Sequence, residues 1–211
     1  MTMNLMLKKL YLEKKEFVTE KELHTYAKML KLNYDDIINY LLRNNYLIRI
    51  FRGIFYFKSI DETKLGNEHY SNMELVARGI ELKGVKDWYF GLHSALKINN
   101  ITHEEFGIDE VISSEIFRAK PIWINGHKFK FNKVSKKLLG FGIVENGVLR
   151  YSDREKTILD FIYFWRYNGV PEERILISVA EWANGVKKET LRRYAKNYPK
   201  VVGNMIEKVL K

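Results

Sequence analysis

The chain has 211 residues, 46% apolar and 14% aromatic, enough for one large buried core or two small ones and too apolar for a disordered protein. It has no cysteine, which excludes disulfides, thiolate metal sites and cysteine nucleophiles and points to a reducing, cytoplasmic setting. The net charge of +10 is uneven: residues 1–60 have 11 Lys/Arg against 6 Asp/Glu, residues 61–150 have 13 against 12, and residues 151–211 have 12 against 8. A basic balance fits a polyanionic partner, because each neutralised phosphate releases condensed counterions. No apolar run approaches the roughly 18–20 residues of a membrane span, so no membrane partner is expected. The opening stretch includes Lys8 and Lys9 and reads as a helix, not a leader peptide.

Leu5, Met6, Leu10 and Tyr11 recur at helical spacing and predict a helix near residues 3–14. Thr19-Glu20-Lys21-Glu22 is a capping box, so a second helix is expected over residues 20–31. Asn33 is a good N-cap for a third, from Tyr34 to about Asn44, with Tyr34, Ile37, Ile38, Leu41 and Leu42 facing inward. Two β-rich runs follow, residues 46–51 and 54–57, joined by Arg52-Gly53 in the manner of a hairpin. Helix, helix, turn, helix, hairpin is the order of a winged helix-turn-helix, expected over residues 1–58. On that reading Asn39, Tyr40 and Arg43 address base edges of double-stranded DNA, while Thr19, Lys21, Arg49 and Arg52 hold phosphates, with Lys58 on the flank of the wing. Asp35 and Asp36 favour the helix N-terminus through the macrodipole but stand where phosphates would approach, unless Lys21 or Lys31 pairs with them.

Residues 59–72 are polar and lack periodicity, and are expected to be a linker. Residues 73–211 then read as an α+β domain. Ser71-Asn72-Met73-Glu74 is a second capping box opening a helix to Leu82, and Trp88–Ile98 reads as another helix. From about Glu110 to Tyr151 the pattern turns to period two, with strands at 111–116, 121–124, 127–132 and 141–144. Asn125-Gly126 and Asn146-Gly147 are hairpin turns, and Phe129 and Phe131 face the core while Lys128 and Lys130 face water. Ser152-Asp153-Arg154-Glu155 is a third capping box, starting a helix to about Trp165, and three more helices are expected over 171–182, 187–197 and 201–210. The fold class is therefore α+β, a winged helix-turn-helix followed by a mixed helical domain with a small antiparallel sheet.

Three segments resemble the AbiEi-type antitoxins, the transcriptional-regulator half of type IV toxin–antitoxin and abortive-infection pairs. They are the wing, residues 47–56, with Arg52-Gly53-Ile54; residues 88–96, with Gly91-Leu92-His93-Ser94-Ala95-Leu96; and residues 151–160, with Asp153, Thr157, Leu159 and Asp160. Arg154-Glu155 inverts that family's usual glutamate-arginine order, and Asp153 lacks the following proline. The resemblance implies a DNA-binding N-terminal domain that represses its own operon, and a C-terminal domain that opposes a nucleotidyltransferase-like toxin.

Two further basic clusters form a possible secondary nucleic-acid patch: Lys128, Lys130, Lys133, Lys136 and Lys137, and Arg192 with Lys196 one helical turn apart. Catalytic signatures are missing. The five histidines are scattered without metal-ligand spacing, and no phosphate-binding glycine loop is present. No catalytic residue, metal or cofactor is therefore expected. Two alternatives stay open: an adaptor whose winged domain docks a protein partner, and an Mg²⁺-dependent nuclease built on Glu145, Asp153, Glu155 and Lys156.

Overall fold

A computed structural model describes residues 3–66 and 68–210. The chain divides into two units, residues 1–84 with 123–127 and residues 85–122 with 128–211. Both mix helices and strands.

The first unit opens with α1 (Met3–Leu12), which buries Met6 and Leu10 completely on one face. β1 (Phe17–Thr19) leads into α2 (Glu20–Met29), where the expected capping box is formed. The Thr19 hydroxyl accepts from the Glu22 amide at 3.3 Å, and the Glu22 carboxylate accepts from the Thr19 amide at 2.8 Å. α3 (Tyr34–Arg43) begins at Asn33, whose side chain accepts from the amides of Asp35 and Asp36. It buries Ile37, Ile38 and Leu41, while Tyr34 and Leu42 are only half-buried. β2 (Leu47–Phe51) and β3 (Ile54–Phe57) form the hairpin. Its turn needs a left-handed residue, which Gly53 supplies at φ +75°.

β1 was not foreseen. It is three residues long and pairs antiparallel with β3, giving the sheet order β1-β3-β2. All four residues of β3 are buried because the sheet is covered twice. Phe55, Phe57 and Leu47 join the core of α1, α2 and α3, and α5 (Asn72–Leu82) packs on β2 and β3. A strand covered on both faces reads as a continuous apolar run, not an alternation. The stretch expected as a linker holds α4 (Ile60–Leu65), capped by Ser59 and Glu62. The first compact unit thus runs on to Gly84, past the 59–72 boundary, and α5 belongs to it.

The second unit is built on β4 (Trp88–Phe90), α6 (Leu92–Ile98), β5 (Ile108–Ser113), β7 (His127–Lys133), a 3-10 turn at Lys136–Leu138, β8 (Ile143–Asn146) and β9 (Leu149–Ser152), then α7 (Arg154–Tyr167), α8 (Glu172–Trp182), α9 (Lys188–Ala195) and α10 (Lys200–Val209), while β6 (Ile122–Ile124) has its last two residues in the first unit. Within the second unit the strands lie in the order β7-β5-β4-β9-β8. Antiparallel pairings β4–β5 and β8–β9 are joined by two parallel ones, β5–β7 and β4–β9. Phe129 and Phe131 are fully buried, with Lys128 and Lys130 half-buried on the other face of β7.

Two expectations fail here. Trp88–Phe90 is strand, not helix: three aromatics fill a central strand at 0–1% exposure, and the helix starts only after Gly91. A Cβ at Gly91 would stand 2.4 Å from Ile112 Cδ1, so a side chain at the strand-to-helix turn would force the buried Ile112 to shift. The third capping box is also displaced. Ser152 lies in β9 with its hydroxyl against that of Thr157 at 2.7 Å, and Asp153 caps α7 by accepting from the Lys156 amide at 2.8 Å.

A Cβ at Gly79, in α5, would lie 2.6 Å from Ile50 Cγ2 and 3.0 Å from the Phe51 ring. Gly79→Ala is expected to cost about 1–3 kcal/mol by overpacking, read as a lower urea midpoint. Burial raises the pKa of Glu22 and Glu62, but their hydrogen bonds more than reverse it, and the Ser71 amide and hydroxyl lower Glu74; all three titrate below the ordinary 4.5. The sign is that of depressed carboxylates: their contribution is complete above pH 4.5 and is lost as pH falls through the lowered values. The thermal unfolding midpoint should therefore fall below pH 4.5, with a smaller acid-side loss in Glu74→Gln.

Candidate functional site

α3 and the β2–β3 hairpin enclose a cleft of about 530 Å³ in the first unit. Asn39 lines it from α3, and Arg49, Arg52 and Gly53 line it from the hairpin. Arg49 and Arg52 are exposed, and neither has an ion-pair partner among the described residues. The Arg49 guanidinium lies 5.6 Å from the centre of the Phe55 ring, which keeps the side chain along the sheet.

The same cleft contains acids. Glu20 and Asp35 line it too. Glu20 reaches the turn: a Cβ at Gly53 would meet its Oε2 at 3.0 Å, and its amide donates to the Gly53 carbonyl at 2.9 Å. Asp35 and Asp36 form no ion pair with Lys21 or Lys31 among the described residues, so the pairing considered from the sequence is not made. His24 stacks on Tyr34, ring centres 3.6 Å apart, and so braces one wall of the cleft.

The expected contact residues therefore divide. Asn39, Arg49 and Arg52 come together. Arg43 and Lys21 are exposed but do not line the cleft. Thr19 is engaged as the N-cap of α2 and offers its hydroxyl to Glu22, not to a ligand. Tyr40 is half-buried, 6.1 Å from the Tyr46 ring centre, and packs on the core. Lys58 is buried, 6% exposed, and does not flank the hairpin as a free cation.

The basic clusters of the second unit are partly occupied. Lys130 donates to the carbonyls of Arg118 and Ala119. Lys128 is half-buried. Lys133, Lys136 and Lys137 are exposed, Lys136 lying 4.0 Å from Asp87. Arg192 makes a two-pronged bond to Glu207 at 2.8 and 2.9 Å, while Lys196 is exposed.

The residues considered for a nuclease are each engaged elsewhere. Glu145 pairs with Arg150 at 3.0 Å, Asp153 caps α7, and Glu155 accepts from the Lys187 amide at 2.8 Å. Among the described residues no group of three or more His, Asp or Glu is placed to hold a metal ion.

Lys156 belongs to a cluster that the sequence did not announce. It is fully buried, and its ammonium donates to the Leu138 carbonyl at 2.7 Å and lies 3.5 Å from Asp160 Oδ1 and 3.0 Å from the Tyr198 hydroxyl. Asp160, also fully buried, accepts from the hydroxyls of Tyr198 at 2.6 Å and Tyr89 at 2.9 Å. Burial pushes the carboxyl above its ordinary 3.8 and the ammonium below its ordinary 10.5, and their mutual attraction opposes both shifts. Burial raises both tyrosines, so they stay protonated as donors. The i,i+4 spacing of Lys156 and Asp160 was the one signal in the sequence, and it is equally that of a surface pair.

No protein-family model matches the chain, and no curated protein matches it. Among solved structures, the fold is similar to that of the RV2827C protein from Mycobacterium tuberculosis, with a TM-score of 0.62 and 13% identity over 99% of this chain and 76% of that one. At that identity the likeness is one of fold. Among the described residues no helix is long and apolar enough to cross a membrane.

Asp160→Asn is expected to cost about 3–5 kcal/mol, because it leaves a buried ammonium without its counter-charge. Urea unfolding of the variant against the parent measures this directly.

Proposed function

We propose that the first unit is a winged helix-turn-helix that binds double-stranded DNA, with α3 as the groove-reading helix and the β2–β3 hairpin as the wing. The observation that supports it is the cleft: one amide side chain on α3 and two unpaired arginines on the hairpin border the same space. Asn is suited to the adenine N6/N7 edge and Arg to phosphate or the guanine O6/N7 edge. A net charge of +10 supplies the sequence-independent attraction. The contact set is Asn39, Arg43, Arg49, Arg52 and Lys21, with Thr19 and Tyr40 in supporting roles as cap and packing residue.

On this reading the protein is a transcriptional regulator. The resemblance of residues 47–56, 88–96 and 151–160 to AbiEi-type antitoxins extends it to an autorepressing antitoxin, whose second unit opposes a nucleotidyltransferase-like toxin. A cytoplasmic location goes with that role.

The test is fluorescence anisotropy on duplex DNA from the region upstream of the protein's own gene, against a scrambled duplex, across a salt series. The upstream duplex should be preferred. Asn39→Ala should lose about 1–3 kcal/mol of specific binding, while Arg52→Ala should weaken both duplexes and flatten the salt slope by about 1. Equal, salt-insensitive behaviour of both duplexes and both variants would sink the DNA reading and favour a protein partner.

A further inference from the structure

A second pocket in the first unit, of about 390 Å³, lies between α1, the end of β3 and α4. It shares no lining residue with the α3–hairpin cleft. Its apolar lining is Leu10, Tyr11, Phe57 and Ile60, the rings of Tyr11 and Phe57 being 4.8 Å apart. Glu62 stands in the wall, 6% exposed. Its carboxylate accepts from the Tyr56 hydroxyl on both oxygens at 2.7 Å, from the Ser59 amide at 2.8 Å and from the His69 amide at 2.9 Å. Those bonds outweigh the effect of burial and keep the group ionised at neutral pH.

The carboxylate is thus satisfied in hydrogen bonds but not in charge. Among the described residues no cation lies within ion-pairing distance of Glu62. In a low-dielectric wall that field acts on whatever fills the adjoining space. Glu16 adds a second negative charge at the rim, its carboxylate accepting from the Tyr70 hydroxyl at 2.6 Å. Of the two lysines at the rim, Lys15 is neutralised by Glu22 and Glu13, and Lys14 is exposed to water, where its charge is screened. Aromatic faces beside an uncompensated buried anion are the combination that recognises organic cations.

We propose that this pocket binds a small organic cation, an ammonium or quaternary nitrogen attached to an apolar body, with the half-buried Tyr11 ring against the cation, Phe57 behind it, and Glu62 as its counter-charge. The site stands independently of the DNA-binding reading, and its test contains no nucleic acid.

The experiment is calorimetric titration of the full chain with benzyltrimethylammonium and, in parallel, with benzenesulfonate as an anion of similar size. Saturable 1:1 binding of the cation, at least about tenfold tighter than the anion, is expected. Glu62→Gln should weaken it further than Glu16→Gln. Because Glu62 also caps α4, Tyr11→Leu serves as the variant that leaves the cap intact, and it should lose about three- to tenfold in affinity. No saturable binding of the cation, equal or tighter binding of benzenesulfonate, or unchanged affinity in Tyr11→Leu would each overturn the proposal.

Discussion

The second unit depends on a buried charge. Lys156 and Asp160 sit one helical turn apart on α7, and neither is exposed at all. Moving two such ions from water into protein costs several kcal/mol each, so the pair survives only if its remaining bonds are made. The partners come from separate parts of the unit: Tyr89 from β4, Leu138 from the 3-10 turn, and Tyr198 from the turn before α10. Each brings a group that is itself buried and polar. The rings of Tyr89, Phe141 and Tyr198 lie 4.5–5.4 Å from the ammonium, adding their faces to its solvation. The cluster therefore fixes how α7 sits on the sheet in a way that apolar packing, which is non-directional, does not.

The first unit is organised by a strand, not by a charge. β3 is covered on both faces and paired on both edges, by β1 and β2. Its beginning, with Phe55 and the preceding turn residue Gly53, frames the α3–hairpin cleft, and its end, with Tyr56 and Phe57, frames the pocket beside Glu62. Two recessed sites of different character thus share one short, rigid element. One is lined by arginines and open acids, the other by aromatic rings and a carboxylate already bound by amides.

Local chemistry was legible in the sequence, and tertiary chemistry was not. The boxes at Thr19 and Ser71 and the cap at Asn33 are formed where their spacing placed them. So is the turn at Asn125-Gly126, both at positive φ, whereas the second hairpin turns one residue later than expected, at Gly147-Val148, with Asn146 paired to Leu149 in the strand. Ser59-Ile60-Asp61-Glu62 has the same box spacing, but a six-residue helix offers too few apolar positions to show a period. Trp88–Phe90 went wrong because helix and buried strand share one pattern over a short apolar run. That Asp160 pairs with Lys156, and that both are buried, is decided by Tyr89 and Tyr198, 71 and 38 residues away from Asp160. At the cleft, the sequence identified residue types on a helix face but not their direction: Tyr40 turned to the core and Thr19 to its own helix.

On the DNA-binding reading, the acids in the cleft bear on what kind of duplex the first unit would take. Glu20 and Asp35 border the same space as Arg49 and Arg52, and Asp36 is beside them on the first turn of α3. Two unit charges 4 Å apart interact by about 1 kcal/mol in water and about 4 at an effective dielectric of 20. Repulsion of that order against an approaching phosphate offsets much of what each arginine contributes to non-specific attraction. A base edge carries no net charge, and carboxylates can accept from the cytosine amino group. On the DNA-binding reading, the face is therefore poorly suited to gripping any duplex and better suited to one whose bases satisfy Asn39 and the acids together. Affinity lost to the backbone is then recovered only at a matching site, which is the condition for selectivity over general attraction.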